Sequence, residues 1–132
     1  MIRRYNAYAA AVARHDPLAV FDALFRAVLE DRDPDAFMAL WADDDDVAMW
    51  GSELTERGDG RAGIRALGEA IAAHPGEIRF TWDERHVHED GDVAWINAAG
   101  SVNGSPYRMT AVLVRRAGEW RWHTFSGSEP RA

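Results

Sequence analysis

The residues of this chain that could do chemistry fall into three groups. His86 and His88 stand two apart and are followed by Glu89 and Asp90. On a strand, residues i and i+2 share a face, so the two imidazoles could chelate one transition metal. A cupin-like site would add a carboxylate and a distant histidine such as His123. No glycine precedes the pair at the cupin spacing, however, and the acids follow too soon. The ligand set is therefore incomplete, and no metal is expected there. Asp43-Asp-Asp-Asp46 resembles a calcium loop, which needs glycine at its sixth position and glutamate at its twelfth. Those positions hold Ala48 and Leu54, so the run reads as a helix end and a solvated turn. The third group is His123, whose imidazole could serve as an acid–base group. The chain has no cysteine, and all its basic residues are arginines. Thiolate and Schiff-base chemistry are excluded. Ser126-Gly-Ser128 lacks the Gly-x-Ser-x-Gly elbow of a serine nucleophile.

Elements must position these groups. A chain of 132 residues, 47% hydrophobic and 28% charged, fits one globular domain with its own core. The net charge of −7 disfavours nucleic acid and anionic membranes as partners. No apolar run approaches the roughly 18 residues that span a bilayer. The N-terminus has two early arginines and an alanine-rich stretch, but Asn6 and two tyrosines break it. Residues 1–15 read as a helical extension with Ile2, Tyr5, Ala9 and Val12 on one face, ahead of a domain over 16–130. The lack of cysteine gives no support for an oxidising compartment, so a cytoplasmic location is expected.

Asp16-Pro17 and Asp33-Pro34 each pair an N-cap with proline at the first helical position. Leu18, Phe21, Leu24, Phe25 and Val28 follow the first at helical spacing; Phe37, Leu40 and Trp41 follow the second. A third helix starts near Asp59-Gly60, carries Ile64, Leu67 and Ile71, and stops at His74-Pro75-Gly76. Val47 to Trp50 reads as a short strand, with a second through Leu54 and Thr55. The period then changes to two. Strands are expected from Ile78, from Val93, from Tyr107 to Arg115 and from Glu119 to Ser126, with turns at Asp90-Gly91, Asn103 to Pro106 and Ala117-Gly118. Trp82 and Val87 have opposite parity. A bulge near Asp83-Glu84 would return Val87 to the core and send both histidines outward. Segregated helices and hairpin-linked strands make an α+β domain.

Phe37-x-x-Leu40-Trp41-Ala-Asp-Asp, Gly60-Arg-Ala-Gly-Ile-Arg65, Gly91-Asp-Val-Ala-Trp95 and Gly118-Glu-Trp-Arg-Trp122 together resemble the nuclear transport factor 2-like superfamily, in particular its SnoaL-like group. Tyr107 to Arg115 and Phe125-Ser-Gly-Ser-Glu-Pro130 extend the resemblance over roughly residues 17–130. It implies a cone-shaped α+β fold, a strongly bent antiparallel sheet wrapped by three helices around a pocket, usually in a homodimer. Members of the superfamily include isomerases, cyclases, epoxide hydrolases, dehydratases and non-catalytic association domains, so the fold leaves function open.

The resemblance places the tyrosine of ketosteroid isomerase on Phe25, its base on Met49 and its second acid at or beside Val112. None of the three can exchange a proton. No strand shows the inward Arg-x-Asp of the epoxide hydrolases. The resemblance also implies that Arg121, His123 and Phe125 face the pocket, with Trp120 and Trp122 on a dimer face. It puts Trp95 and Asn97 inward on their strand, where the Asn97 amide could orient a carbonyl or hydroxyl. Tyr107, Met109 and Ala111 share one face of the next strand; Arg108, Thr110 and Val112 share the other, and either face could be the inner one. An inward Arg108 would suit a carboxylate, whereas an outward one would make a surface salt bridge.

The expected function is the binding of a small apolar or aromatic molecule in a mostly apolar pocket, without a cofactor. Phe25, Met49, Trp95, Asn97, Tyr107, Met109, His123 and Phe125 are the expected ligand-binding residues. One alternative is a lyase, isomerase or cyclase with His123 as catalytic acid–base group. Another is a dimerisation or interaction domain whose cavity is filled by side chains. A carboxylate or tyrosine within about 3.2 Å of His123 would favour the enzyme.

Overall fold

The computed structural model describes residues 15–131, so the expected N-terminal extension lies outside the described residues but for His15. Both Asp-Pro pairs start helices. Asp16 Oδ1 accepts the Leu18 N–H at 3.2 Å, and Asp33 Oδ1 accepts the N–H groups of Asp35 and Ala36 at 3.1 Å each. These bonds satisfy donors that a helix start leaves unpaired. Helix α1 (Pro17–Phe25) runs on into a π-helical turn (Arg26–Glu30), closed by the Asp31 N–H on the Arg26 carbonyl at 2.9 Å. Helix α2 spans Pro34–Ala39. Gly68 of α3 (Gly60–Ala72) admits the Phe37 ring, because a Cβ there would lie 2.6 Å from it.

The strands are β1 (Ala48–Trp50), β2 (Arg57–Asp59), β3 (Phe80–Asp90), β4 (Val93–Val102), β5 (Ser105–Arg116) and β6 (Glu119–Ser128). They form one sheet in the order β2-β1-β6-β5-β4-β3, antiparallel except where β1 meets β6. The second strand falls at Arg57–Asp59 rather than at Leu54-Thr55. Leu54 is fully exposed in the preceding turn, while Gly58 lies against the Gly63 backbone, where no side chain would fit. Asn103-Gly104 and Ala117-Gly118 take positive φ in tight hairpin turns, so β4 and β5 run closer to their turn than the expected four-residue loop.

Two bulges decide which side chains face the helices. Trp82 pairs with Gly100 and Glu84 with Ala99, so Asp83 is the extra residue, where the parity break predicts it. Beyond it Arg85 reaches Asp22 on α1 and His86 and His88 turn outward, but Val87 is 38% exposed near the strand end and does not return to the core as expected. The second bulge is at His123, between Trp122 opposite Leu113 and Thr124 opposite Val112. It corrects the expected alternation on β6. Trp122 and Phe125, three residues apart, both face the helices, and their rings stack at 5.8 Å. Trp122 also meets Phe21 at 5.4 Å and Trp41 at 5.8 Å, and its Nε1 donates to the Val20 carbonyl at 3.1 Å. Trp120 and Trp122 are 2% and 0% exposed, so they cannot form a dimer face.

A Cβ at Gly100 would overlap the Thr81 carbonyl beside the first bulge, and backbone cannot swing aside. Gly100→Ala is expected to cost about 1–3 kcal/mol, read as a lower urea midpoint at unchanged slope. A wild-type midpoint would show that the bulge has room.

Candidate functional site

Strand alternation and the two bulges sort the expected site residues onto opposite sides of the sheet. On β5, Tyr107, Met109 and Ala111 are buried and Arg108 and Thr110 exposed, which settles the face that the sequence leaves open. Met49 pairs with Phe125 across β1 and β6, and both are buried. Phe25 lies 6.3 Å from the Phe125 ring. Phe25, Met49, Tyr107, Met109 and Phe125 therefore share the helix-facing side.

Trp95, Asn97 and His123 do not join them. The inward positions of β4 belong to Ala94, Ile96 and Ala98, all buried, so alternation turns Trp95 and Asn97 outward. Trp95 stacks on His88 at 5.5 Å, and the Asn97 Oδ1 accepts from the Thr110 hydroxyl at 3.0 Å. His123 turns from the cone toward the loop before β1, where its Nε2 lies 2.9 Å from the Asp46 carboxylate. Its Nδ1 lies 2.7 Å from the Thr124 hydroxyl.

The inner side is mostly closed by rings, among them Phe21, Phe25, Trp41, Trp122 and Phe125. At one end the packing opens. A cleft of about 340 Å³ lies between the π-helical turn and the start of β3. Half of its lining is apolar, with Phe25, Leu29, Ile78, Phe80 and Trp82 each only half-buried, and half is charged, with Asp22, Arg26, Glu30, Glu77 and Arg79. Phe80 and Trp82 continue the aromatic wall to Tyr107, at 5.4 and 6.4 Å. Burial, with Glu56 and Glu129 nearby, pushes the Tyr107 phenol well above its ordinary pKa, so it stays a neutral hydroxyl. Trp41 Nε1 is a buried donor with no partner among the described residues. Of the cleft residues, sequence reasoning named only Phe25 for a site. The helical pair Phe25 and Leu29 and the alternating Ile78, Phe80 and Trp82 were visible, but their meeting is a tertiary fact.

Asp44, Asp46 and His123 offer ligand atoms within 4.8 Å of one another. Arg116 already holds Asp44 at 2.8 Å and His123 holds Asp46, so a cation would have to displace both. The other two strand histidines do not converge: His86 leans to Glu84 at 3.4 Å, and His88 stacks on Trp95.

A model of the SnoaL-like domain family matches residues 18–131. The chain belongs to that family. This SnoaL-like domain has the nuclear transport factor 2-like cone fold, and several solved structures share it. A candidate calcium/calmodulin-dependent protein kinase type II association domain from Thiobacillus denitrificans is 26% identical at a TM-score of 0.74, covering 87% of this chain and 95% of its own. A nuclear transport factor 2-like protein of unknown function from Pseudomonas putida is 22% identical at 0.75, covering 92% and 89%. A candidate dehydratase of the same superfamily from Streptomyces avermitilis is 19% identical at 0.75, covering 89% and 96%. A search of curated proteins finds no match. Among the described residues, no helix is long and apolar enough to cross a membrane.

In this SnoaL-like domain the cone wall is apolar, and the imidazole that could move a proton lies outside it. His123 and Asp46 form a carboxylate–imidazole pair of hydrogen-bonding geometry. His123, through its hydrogen bond first and its charge second, holds the Asp46 carboxyl below the ordinary carboxylate range. A depressed carboxyl stabilises the fold above its unfolded pKa and loses that contribution as pH falls through the folded value. Following the Asp46 carboxyl by NMR titration should give a pKa below the ordinary one, and His123→Ala, which removes the donor, should raise it. An unchanged Asp46 titration in that variant would contradict the pairing.

Proposed function

We propose that this SnoaL-like domain binds a small, neutral, mostly apolar or aromatic molecule at the open end of its cone. The observation that carries this reading is the ring of half-buried Phe25, Leu29, Ile78, Phe80 and Trp82 around a cleft of about 340 Å³. Ligand pockets run from about 300 to 1,000 Å³ and are lined by apolar and aromatic side chains. The charges at the rim neutralise one another: Arg26 faces Glu30 at 3.9 Å, Arg79 bonds Glu77 at 2.7 Å, and Asp22 is taken by Arg85. A neutral occupant suits such a rim. Phe25 is the one expected ligand residue that lines the cleft. Met49, Tyr107, Met109 and Phe125 would support its wall from behind.

N-phenyl-1-naphthylamine, a neutral fluorophore, should brighten on binding the wild-type protein. Ile78→Asp, with its fold checked by circular dichroism, should weaken binding about tenfold or more by placing a charge in the cleft. Absence of binding to the wild type, or equal binding by the variant, would overturn the reading.

A second reading keeps His123 as the acid–base group of a lyase, isomerase or cyclase. It is favoured by Asp46 at 2.9 Å and Thr124 at 2.7 Å, a carboxylate–imidazole–hydroxyl series. Its substrate would sit outside the cone, so His123→Gln would leave fluorophore binding intact while abolishing turnover.

A homodimer fits the outward face of the sheet. Val93 and Trp95 are exposed there at 40% and 37%, and Val112 adjoins them. An isologous pair would bury this apolar end against its copy. Light scattering should report twice the monomer mass, and Trp95→Arg should halve it. A monomeric wild type would refute the dimer.

A further inference from the structure

The cone cleft lies between two jaws. One is the π-helical turn, with Phe25, Leu29 and Glu30; the other follows α3 and carries Glu77, Ile78 and Arg79. We propose that residues 74–79 form a strap that gates this cleft, with Arg32 as its latch. Arg32 is a positioning residue: it holds Ile78 against the opening and touches no ligand. The gate has a use only if the cleft takes a ligand, as proposed above.

Side chains fasten the strap. Residues 74–79 belong to neither α3 nor β3. Among the described residues, positions 75–78 make no hydrogen bond from backbone to backbone. The Arg32 guanidinium crosses from the loop before α2 and donates to three carbonyls beside the second jaw. It meets Ala72 at 3.1 Å and Gly76 at 3.2 Å, and it also bonds His74. At the other end, Asn103 Oδ1 accepts the Arg79 N–H at 2.8 Å, and its Nδ2 donates to the Glu77 carbonyl at 3.1 Å. Between the two clamps stands Ile78, half-buried in the cleft lining.

Arg32 holds this position at a backbone cost. Its φ is 50°, in the left-handed region that a side chain disfavours. Asn103 and Ala117 share that region, but each precedes a glycine in a hairpin turn. Arg32 stands instead between the π-helical turn and α2. Such residues persist where their surroundings hold them, and they cluster at ligand clamps and switches. Arg32 lies two residues beyond Glu30, and it grips Gly76 beside Glu77, so its fork ties the jaws together at one end. Arg32, His74, Glu77 and Arg79 are all exposed, so water competes for these bonds. A segment held mainly by water-exposed hydrogen bonds opens before the core does. A pocket that covers most of its ligand needs a wall that moves aside to load it.

Two readouts on the full chain test the gate. Hydrogen exchange at the Arg79 amide reports strap opening without any ligand. Stopped-flow fluorescence of N-phenyl-1-naphthylamine reports entry and exit. Arg32→Gln keeps the backbone demand and loses the fork. It should speed Arg79 exchange about tenfold and raise the association and dissociation rates by a similar factor, so that Kd moves much less than either rate. Arg32→Lys keeps the charge without the planar fork and should fall between, and it carries the test if the glutamine variant does not fold. Arg115→Gln removes a similar bond, to the Gly91 carbonyl at the opposite end of β3, and should leave exchange and both rates unchanged. Arg79 exchange at the wild-type rate would overturn the latch. Faster exchange with unchanged entry and exit, or a rise in dissociation alone, would overturn the gate. If the wild type does not bind the fluorophore, the ligand reading of the cleft falls and the gate with it; binding at rates indifferent to Arg32 removes the gate alone.

Discussion

The structure depends on one indole being held between a sheet and a helix. Trp122 is fully buried, touches the rings of Phe21, Phe25, Trp41 and Phe125, and donates its N–H to the backbone of α1. A ring of that size buries a large apolar area only inside the core, and its N–H, unlike that of the buried Trp41, finds a partner there. Both demands are met only if β6 turns Trp122 toward the helices. Simple alternation would then send Phe125 outward and open the core. The extra residue at His123 lets both rings stay inside.

That single irregularity separates two chemistries. The helix-facing side is left with rings, methionines and alanines, and it opens only where the π-helical turn stands off the start of β3. The imidazoles of His86, His88 and His123, the Asn97 amide, the Thr110 hydroxyl and the Arg108 guanidinium are turned out of the cone, where water or a ligand can satisfy them at little cost, while the Tyr107 hydroxyl and Arg85 stay on the helix side. The bulge also carries His123 to the loop before β1, beside Asp46. An imidazole inside the ring cluster would have had to lose its charge or find a buried partner.

Much of the fold is legible in the sequence because its signals are local. The two Asp-Pro pairs cap helices by bonds within three residues, and the period-two runs give the four long strands. The parity break between Trp82 and Val87 locates the first bulge. The same argument was available at Trp122 and Phe125, whose odd spacing breaks alternation in the same way. Read as regular, β6 puts His123 inside and Trp122 outside. Trp95 and Asn97 went wrong for another reason. Both faces of β4 carry apolar residues, and only the partners across β5 show that Ala94, Ile96 and Ala98 are the buried set. The cleft is not local at all: it arises where Leu29 and Ile78, far apart in sequence, fail to close over Phe80.

The most direct test of this arrangement is the indole N–H of Trp122 in solution, followed by hydrogen exchange and by nuclear Overhauser contacts. A proton protected from exchange, with contacts to Val20 and Phe21, is the result this structure requires. An indole N–H that exchanges freely, or that contacts Asn97 or Thr110 instead, would mean that β6 runs without its bulge and that the two faces are reversed.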